Sequence, residues 1–193
     1  MKLVFASNNK NKIVEIQSML PSGIQILSLE EIGCFEDIAE TANTIEGNAI
    51  LKANYVSEKY GYDCFADDSG LEVRALNGEP GVYSARYAGA QRSSNDNMNK
   101  LLSELSSKTD RSANFKTVIA LNMDGSQRLF TGIINGTITL EKSGDQGFGY
   151  DPIFRPDGYQ KTFAEFSLEG KAKISHRGLA VKQLIDFLDN TQK

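Results

Sequence analysis

Strand-like and helix-like apolar patterns alternate from one end of this chain to the other, and hairpin signals interrupt any strict strand–helix–strand rhythm. That mixture limits the fold more than any other feature. It predicts an α/β domain with a mixed sheet and flanking helices. A short apolar strand covers residues 2–6 and the polar turn 7–12 follows; Ile13, Ile16 and Leu20 then recur at helical spacing until Pro21 closes the helix. Residues 24–27 read as a second strand. A second helix runs from about Glu46 to Tyr60, with Asn43 and Glu46 resembling a capping box, Gly61 as its stop, and Ala49, Ala53, Val56 and Tyr60 on its buried face. Residues 64–66 enter a turn over 67–70, and 71–75 alternate as a strand.

A third helix, near 95–106, places Met98, Leu101, Leu102 and Leu105 on one face behind a Ser93 or Ser94 cap. Residues 115–121 alternate as a strand, Asp124-Gly125 supplies a hairpin turn into 128–134, and 137–140 add a short strand. Residues 144–173 are Gly-rich and read mostly as loop. The last helix follows Ser175, with Val181, Leu184, Ile185 and Leu188 facing inward. Internal repeats and Pro/Ser-rich linkers are absent from the sequence, so residues 1–193 read as one domain.

Charge narrows the partners. A net charge of −4 gives no general basic field for a nucleic-acid polymer, so an anionic ligand must be gripped locally by a few cations and backbone N–H groups. This favours a small phosphate compound. No apolar run approaches the length of a membrane span, and the apolar stretch in MKLVFASNNK is too short for a signal-peptide core. Cys34 and Cys64 stand far apart and outside any CxxC spacing, which suits a cytoplasmic protein without a disulfide framework. His176 is the only histidine, so a metal would have to take carboxylate oxygens.

Three segments carry more polar residues than packing requires. Ser7-Asn8-Asn9-Lys10-Asn11-Lys12 lies between a strand and a helix, where unpaired N–H groups and two lysines can hold an anion; it also reads as a plain helix-entry loop with solvated lysines. Ala66-Asp67-Asp68-Ser69-Gly70 follows an apolar strand, where two carboxylates could serve Mg²⁺ and a water; the same residues make a good Asx-type turn. Gly147-Phe148-Gly149-Tyr150-Asp151-Pro152 is joined by Lys171 and by Ser175-His176-Arg177-Gly178. Its aromatics could stack on a flat ligand, and Lys171, His176 and Arg177 are donors for carbonyl or phosphate oxygens. The plainer reading makes Ser175 a helix cap and His176-Arg177 a solvated first turn. Cations there oppose the helix dipole, however, and so want an acceptor nearby.

Taken together, SNNKNK at 7–12, ET at 40–41, NAILKA at 48–53, ADDSGLEV at 66–73, PGVYSARYAG at 80–89, GFGYDPIF at 147–154 and ISHRG at 174–178 resemble the inosine triphosphate pyrophosphatase family, in the family's order and from end to end. The resemblance implies two lobes around a central cleft, a homodimer, and Mg²⁺-dependent cleavage of inosine- and xanthosine-type triphosphates between the α- and β-phosphates. It implies that Ser7, Asn8, Asn9, Lys10, Asn11 and Lys12 cradle the triphosphate. Glu40 and Asp68 would serve the metal, with Asp68 also the general base, and Ser69 would touch substrate. Phe148, Gly149, Tyr150, Asp151, Lys171, His176 and Arg177 would surround the purine.

The chain departs from the family after Glu40-Thr41. There the family has Gly, an aromatic and a Glu-Asn pair, and this sequence has Ala42, Ile45 and Gly47-Asn48; the Gly of the first loop is Asn11. Glu46 stands one residue from the missing carboxylate, a step that turns a helical side chain by about 100°. Two rival readings are a nucleotide-binding regulator without turnover and a related pyrophosphatase acting on pyrimidine triphosphates.

Overall fold

Two residues at adjacent strand ends show how the chain starts its core. Phe5 in β1 (Lys2–Phe5) pairs in register with Phe65 in β3 (Cys64–Val73), and their rings stack at 4.8 Å. The computed structural model describes residues 1–191. Its elements run β1, α1 (Lys10–Met19), β2 (Gln25–Leu27), α2 (Ile45–Tyr60), β3, β4 (Pro80–Gly81), α3 (Ser94–Glu104), β5 (Ser112–Met123), β6 (Ser126–Ile138), β7 (Phe154–Pro156), α4 (Leu168–Ile174) and α5 (His176–Thr191). The described strands form one mixed sheet in the order β2-β1-β3-β5-β6-β7, with β4 on β3. β1 is parallel to β2 and β3, whereas β4 and β7 are antiparallel to β3 and β6. The α/β class with a mixed sheet is therefore as expected.

Several boundaries differ from the sequence reading for local reasons. Asn9 caps α1 by accepting from the N–H groups of Asn11 and Lys12, so the helix begins at Lys10 and takes in the second half of the expected turn. Thr44, not Asn43, caps α2 by accepting from Gly47 N at 3.0 Å, and Gly61 ends it at φ 70°. The expected turn at 67–70 does not form; those residues continue β3, with Asp67 fully buried inside it. Asp124 and Gly125 do make the hairpin turn, both at positive φ, and β6 extends to absorb Thr137 and Ile138 from the expected separate strand. Within the expected loop 144–173 lie β7 and α4, the latter capped by Ser167.

The chain divides into two compact units, one of residues 1–68, 117–132 and the segment from Arg177, the other of 69–116 and 133–176. The first has a core of Leu3, Phe5, Ile16, Phe65, Ile119, Val181, Leu184 and Leu188. The second packs Leu71, Val73, Met98, Leu101, Phe115, Phe154 and Phe163. Among the described residues no helix is long and apolar enough to cross a membrane. Cys34 and Cys64 are buried free thiols.

Candidate active site

In the first unit, polar groups gather on α2 and β3 where a core would normally be apolar. Asn48 and Lys52 stand one turn apart on α2, on the face that also buries Ala49, Ala53 and Val56. Asn48 Oδ1 accepts from Ala42 N at 2.9 Å, which leaves its amino group to donate to Asp68 Oδ2 at 3.2 Å. Lys52 Nζ donates to Glu40 Oε1 at 2.6 Å and lies 3.8 Å from Asp68 Oδ1. One ammonium thus faces both carboxylates that the family resemblance assigns to a metal.

Asp67, the neighbour of Asp68 in β3, has different partners. Lys12 Nζ donates to its Oδ1 at 3.1 Å, and Arg177 Nε to its Oδ2 at 3.3 Å. Arg177 also donates to Glu15, which is buried beside Ile16 on α1. A guanidinium this deeply buried needs carboxylates around it. The sequence reading groups Arg177 with Lys171 and His176; the structure engages it with Asp67 and Glu15.

The two aspartates have opposite proton affinities. Burial works against the charge of both. At Asp67 the cations Lys12, Arg177 and Lys52 overcome it and hold the carboxyl well below the usual carboxylate range. At Asp68 burial prevails over Lys52 and Lys12, helped by the nearby charges of Glu40 and Asp67, and the carboxyl is pushed up. Lys52 is also buried, yet Asp68, Asp67 and Glu40 raise its proton affinity, so it stays an ammonium. Burial lowers that of Lys12, against the pull of Asp67.

The 7–12 segment meets this cluster through Lys12 alone among its cations; Lys10 is exposed at the start of α1. Ser7 Oγ accepts from Asn9 N at 3.2 Å, and Asn8 Nδ2 reaches Asp37 Oδ1 at 3.5 Å. Gly47 is pressed close to the loop before α2: a Cβ there would lie 2.7 Å from Ala42 Cβ.

The second unit holds the other candidates. Asp151 Oδ2 accepts from Phe148 N at 2.8 Å and from Lys171 Nζ at 2.6 Å. The Lys171 ammonium also lies 4.9 Å from the centre of the Phe148 ring, and Gly149 stands between Phe148 and Tyr150 at φ 66°. His176 stacks face to face on Phe115 at 4.5 Å. Tyr150 is buried with its hydroxyl on the Ser84 carbonyl at 2.8 Å, which makes its ring part of the core, whereas Phe148 is half-buried. Ser69 continues β3 directly after Asp68 and is half-buried.

The resemblance gives no role to Asp67, Asn48, Lys52 or Glu15, although the sequence reading already takes Asp67 as one of two carboxylates that could serve Mg²⁺ and a water. A signal existed for two of them: Asn48 and Lys52 fall at the helical spacing of Ala49, Ala53 and Val56, and a polar pair on an apolar face needs a partner. Asp67 was visible only as half of an aspartate pair, and nothing in the sequence joined Glu15 to Arg177.

Along its whole length the chain is similar to known proteins. The chain is 72% identical over 190 residues, 98% of its length and 100% of the relative's, to a dITP/XTP pyrophosphatase of Flavobacterium psychrophilum. It is 70% identical over 192 residues, the whole of both chains, to the protein of that name in Flavobacterium johnsoniae. Its fold matches the solved Staphylococcus aureus Ham1 protein with a TM-score of 0.91 and 43% identity, covering 99% of this chain and 100% of that one. A Ham1 protein from Coxiella burnetii matches with a TM-score of 0.91 and 39% identity over 98% and 99% of the two chains. Since the family model itself spans residues 3–187, and with it both polar clusters described above, this chain belongs to the Ham1 family.

Proposed function

We propose that the chain hydrolyses non-standard purine nucleoside triphosphates, those of inosine, deoxyinosine and xanthosine, to the monophosphate and pyrophosphate. The observation that carries this reading is the Asp68 carboxylate. It is fixed by Asn48, raised in proton affinity by burial, and set beside a second carboxylate and two lysines. Relatives with 72% and 70% identity bear the name dITP/XTP pyrophosphatase.

Mg²⁺ fits the donor set. Glu40 and Asp68 both lie within 4 Å of a single cation, Lys52 Nζ, so their oxygens converge. Mg²⁺ typically takes one or two protein carboxylates together with phosphate oxygens of a substrate. When bound, Mg²⁺ offsets charge on those phosphate oxygens. Asp68 accepts a proton from the water that attacks the α-phosphorus, and the bond to the oxygen bridging toward the β-phosphate breaks to release pyrophosphate. No covalent nucleophile is required, because such displacements depend on positioning and electrostatics. Lys12 and Lys52 add positive charge, and we assign the 7–12 segment at the positive end of α1 to the triphosphate. In the second unit, Lys171 and His176 are the donors we assign to the carbonyl oxygen at purine position 6, with Phe148 against the ring.

We place the enzyme in the cytoplasm, as its buried free thiols suit a reducing compartment, and expect a homodimer. Incubation with Mg²⁺ and a panel of inosine, deoxyinosine, xanthosine, adenosine, guanosine and pyrimidine triphosphates tests the reading. Pyrophosphate release fastest from the first three is expected. Orthophosphate release, preference for a pyrimidine, or binding without turnover would overturn it.

A further inference from the structure

The segment from Glu36 to Thr44 runs back along α2 and is gripped by it in register. Tyr55 and Tyr60 donate their hydroxyls to Glu36 Oε1 at 2.6 and 2.8 Å, and the Lys59 ammonium donates to the same oxygen. Further along, Lys52 holds Glu40, Asn48 holds the N–H of Ala42, and Thr44 caps the helix at Gly47. Segment positions 36, 40, 42 and 44 thus meet helix positions 55–60, 52, 48 and 47 in antiparallel order. Asp37, next to the first anchor, accepts from Asn8.

The six residue-to-residue steps from Glu36 to Ala42 reach about 20 Å at full extension. The helix between Asn48 and the middle of the Tyr55, Lys59 and Tyr60 anchor rises about 15 Å. The segment therefore has little slack, and the place of Glu40 depends on where both ends are tied. Asn48 ties the end nearer the helix start. Glu36 ties the other, with three donors on one oxygen. Lys59 further lies 5.1 Å from the Tyr55 ring centre and 5.5 Å from that of Tyr60, so the donors pack on one another.

We propose that Glu36 is a positioning residue for metal binding: clamped by Tyr55, Lys59 and Tyr60, it sets the strap that presents Glu40. The proposal rests on the reading of Glu40 as a Mg²⁺ ligand. It adds a device some distance along the helix from the cluster itself, and it predicts which half-buried side chains change metal affinity without touching metal or nucleotide.

The test reads metal binding directly, with Mn²⁺ as the probe and the α,β-methylene analogue of inosine triphosphate, which cannot be cleaved at the reacting bond, bound to the full chain. Free Mn²⁺ is counted by electron paramagnetic resonance. Glu36→Ala and the double variant Tyr55→Phe with Tyr60→Phe are each expected to weaken Mn²⁺ binding about tenfold, the lower end for loss of groups that orient a ligand. Analogue affinity without metal should stay within about twofold, since the metal contact alone is lost. Glu36→Asp should recover part of the affinity. In a Glu40→Gln background, Glu36→Ala should add no further loss, because the ligand it positions is already gone. Wild-type Mn²⁺ affinity in both Glu36→Ala and the tyrosine double variant overturns the proposal while leaving Glu40 in place. So does an undiminished effect in the Glu40→Gln background. If Glu40→Gln itself leaves Mn²⁺ binding unchanged, the metal reading fails and the proposal falls with it.

Discussion

Asn48 Nδ2 donates to Asp68 Oδ2 at 3.2 Å, which leaves Oδ1 as the oxygen turned toward Lys52. A base held in this way acts through one defined oxygen. Asp68→Asn should lower kcat by about 10²–10⁴, the usual contribution of a general base, while binding of the uncleavable analogue persists. Steady-state kinetics beside a binding titration checks this, and near-normal turnover would remove Asp68 from the chemistry.

The pH profile has a sign fixed by the neighbours. Asp68 serves as a base only when ionised, so kcat/KM should rise as pH climbs through its raised proton affinity. Lys52 holds that affinity down and Glu40 pushes it up. Lys52→Met should therefore shift the ascending limb to higher pH, and Glu40→Gln to lower pH, each at saturating Mg²⁺. Shifts in one common direction would contradict the arrangement.

Glu40→Gln should also raise the Mg²⁺ concentration for half-maximal rate by about tenfold, since one anionic oxygen is lost from the site. Much of the rate should return when Mg²⁺ is added in excess. A metal titration superimposable on that of the unaltered protein would take Glu40 out of the metal site.

Base choice separates two residues that are adjacent in sequence. His176→Phe keeps a ring for Phe115 to stack on but loses the N–H donor. A specific base contact contributes about 1–3 kcal/mol, so the ratio of efficiencies on inosine and adenosine triphosphate should narrow about tenfold or more. Arg177→Ala instead leaves Asp67 and Glu15 buried without their guanidinium, at a cost of about 3–5 kcal/mol in stability. Its effect on the two substrates should be equal. Kinetics on both nucleotides and urea unfolding distinguish the roles, and a ratio unmoved by His176→Phe would disprove its contact with the base.

Ala42 and Gly47 are packed against each other where the loop enters α2. A Cβ at Gly47 would meet Ala42 Cβ at 2.7 Å and Thr44 Oγ1 at 2.9 Å, so a side chain there requires both neighbours to shift. Gly47→Ala should destabilise the chain by about 1–3 kcal/mol through overpacking. In an Ala42→Gly background the cost should shrink but not vanish, because the approach to Thr44 Oγ1 at 2.9 Å remains. Equal costs in both backgrounds, measured by urea unfolding, would show that the contact does not couple them.

Local chemistry made part of this molecule readable. Asp124-Gly125 can adopt the positive φ values that a two-residue hairpin turn demands, and Val181, Leu184 and Leu188 repeat at helical spacing; both features are found where expected. Asp67-Asp68-Ser69-Gly70 has equally good turn chemistry, yet it lies within β3, because strand pairing and three surrounding cations outweigh the local preference. The loop reading of 144–173 missed α4, whose seven residues are too few to display a helical period. Asp68, Lys12 and Glu40 could be singled out from motifs, and the structure brings Asp68 and Glu40 to Lys52. The partnership of Arg177 with Glu15 spans 162 positions, beyond the reach of any local pattern.

Asp67 and Asp68 occupy consecutive positions of a strand, where neighbouring side chains emerge on opposite faces. β1 fixes the register at Cys64 and Phe65, immediately upstream. A single-codon insertion between Phe65 and Ala66 would thus keep every residue of the cluster in the gene, in its original order, and turn those of β3 past that point, Asp67 and Asp68 among them, onto the wrong face. Asp68 would address Lys12 and Arg177, and Asp67 the helix amide. The same insertion at Asp124-Gly125 only lengthens a hairpin loop. Two alleles with nearly identical sequence scores would then differ completely in viability as enzymes, and the frame of one short strand would decide which of them survives.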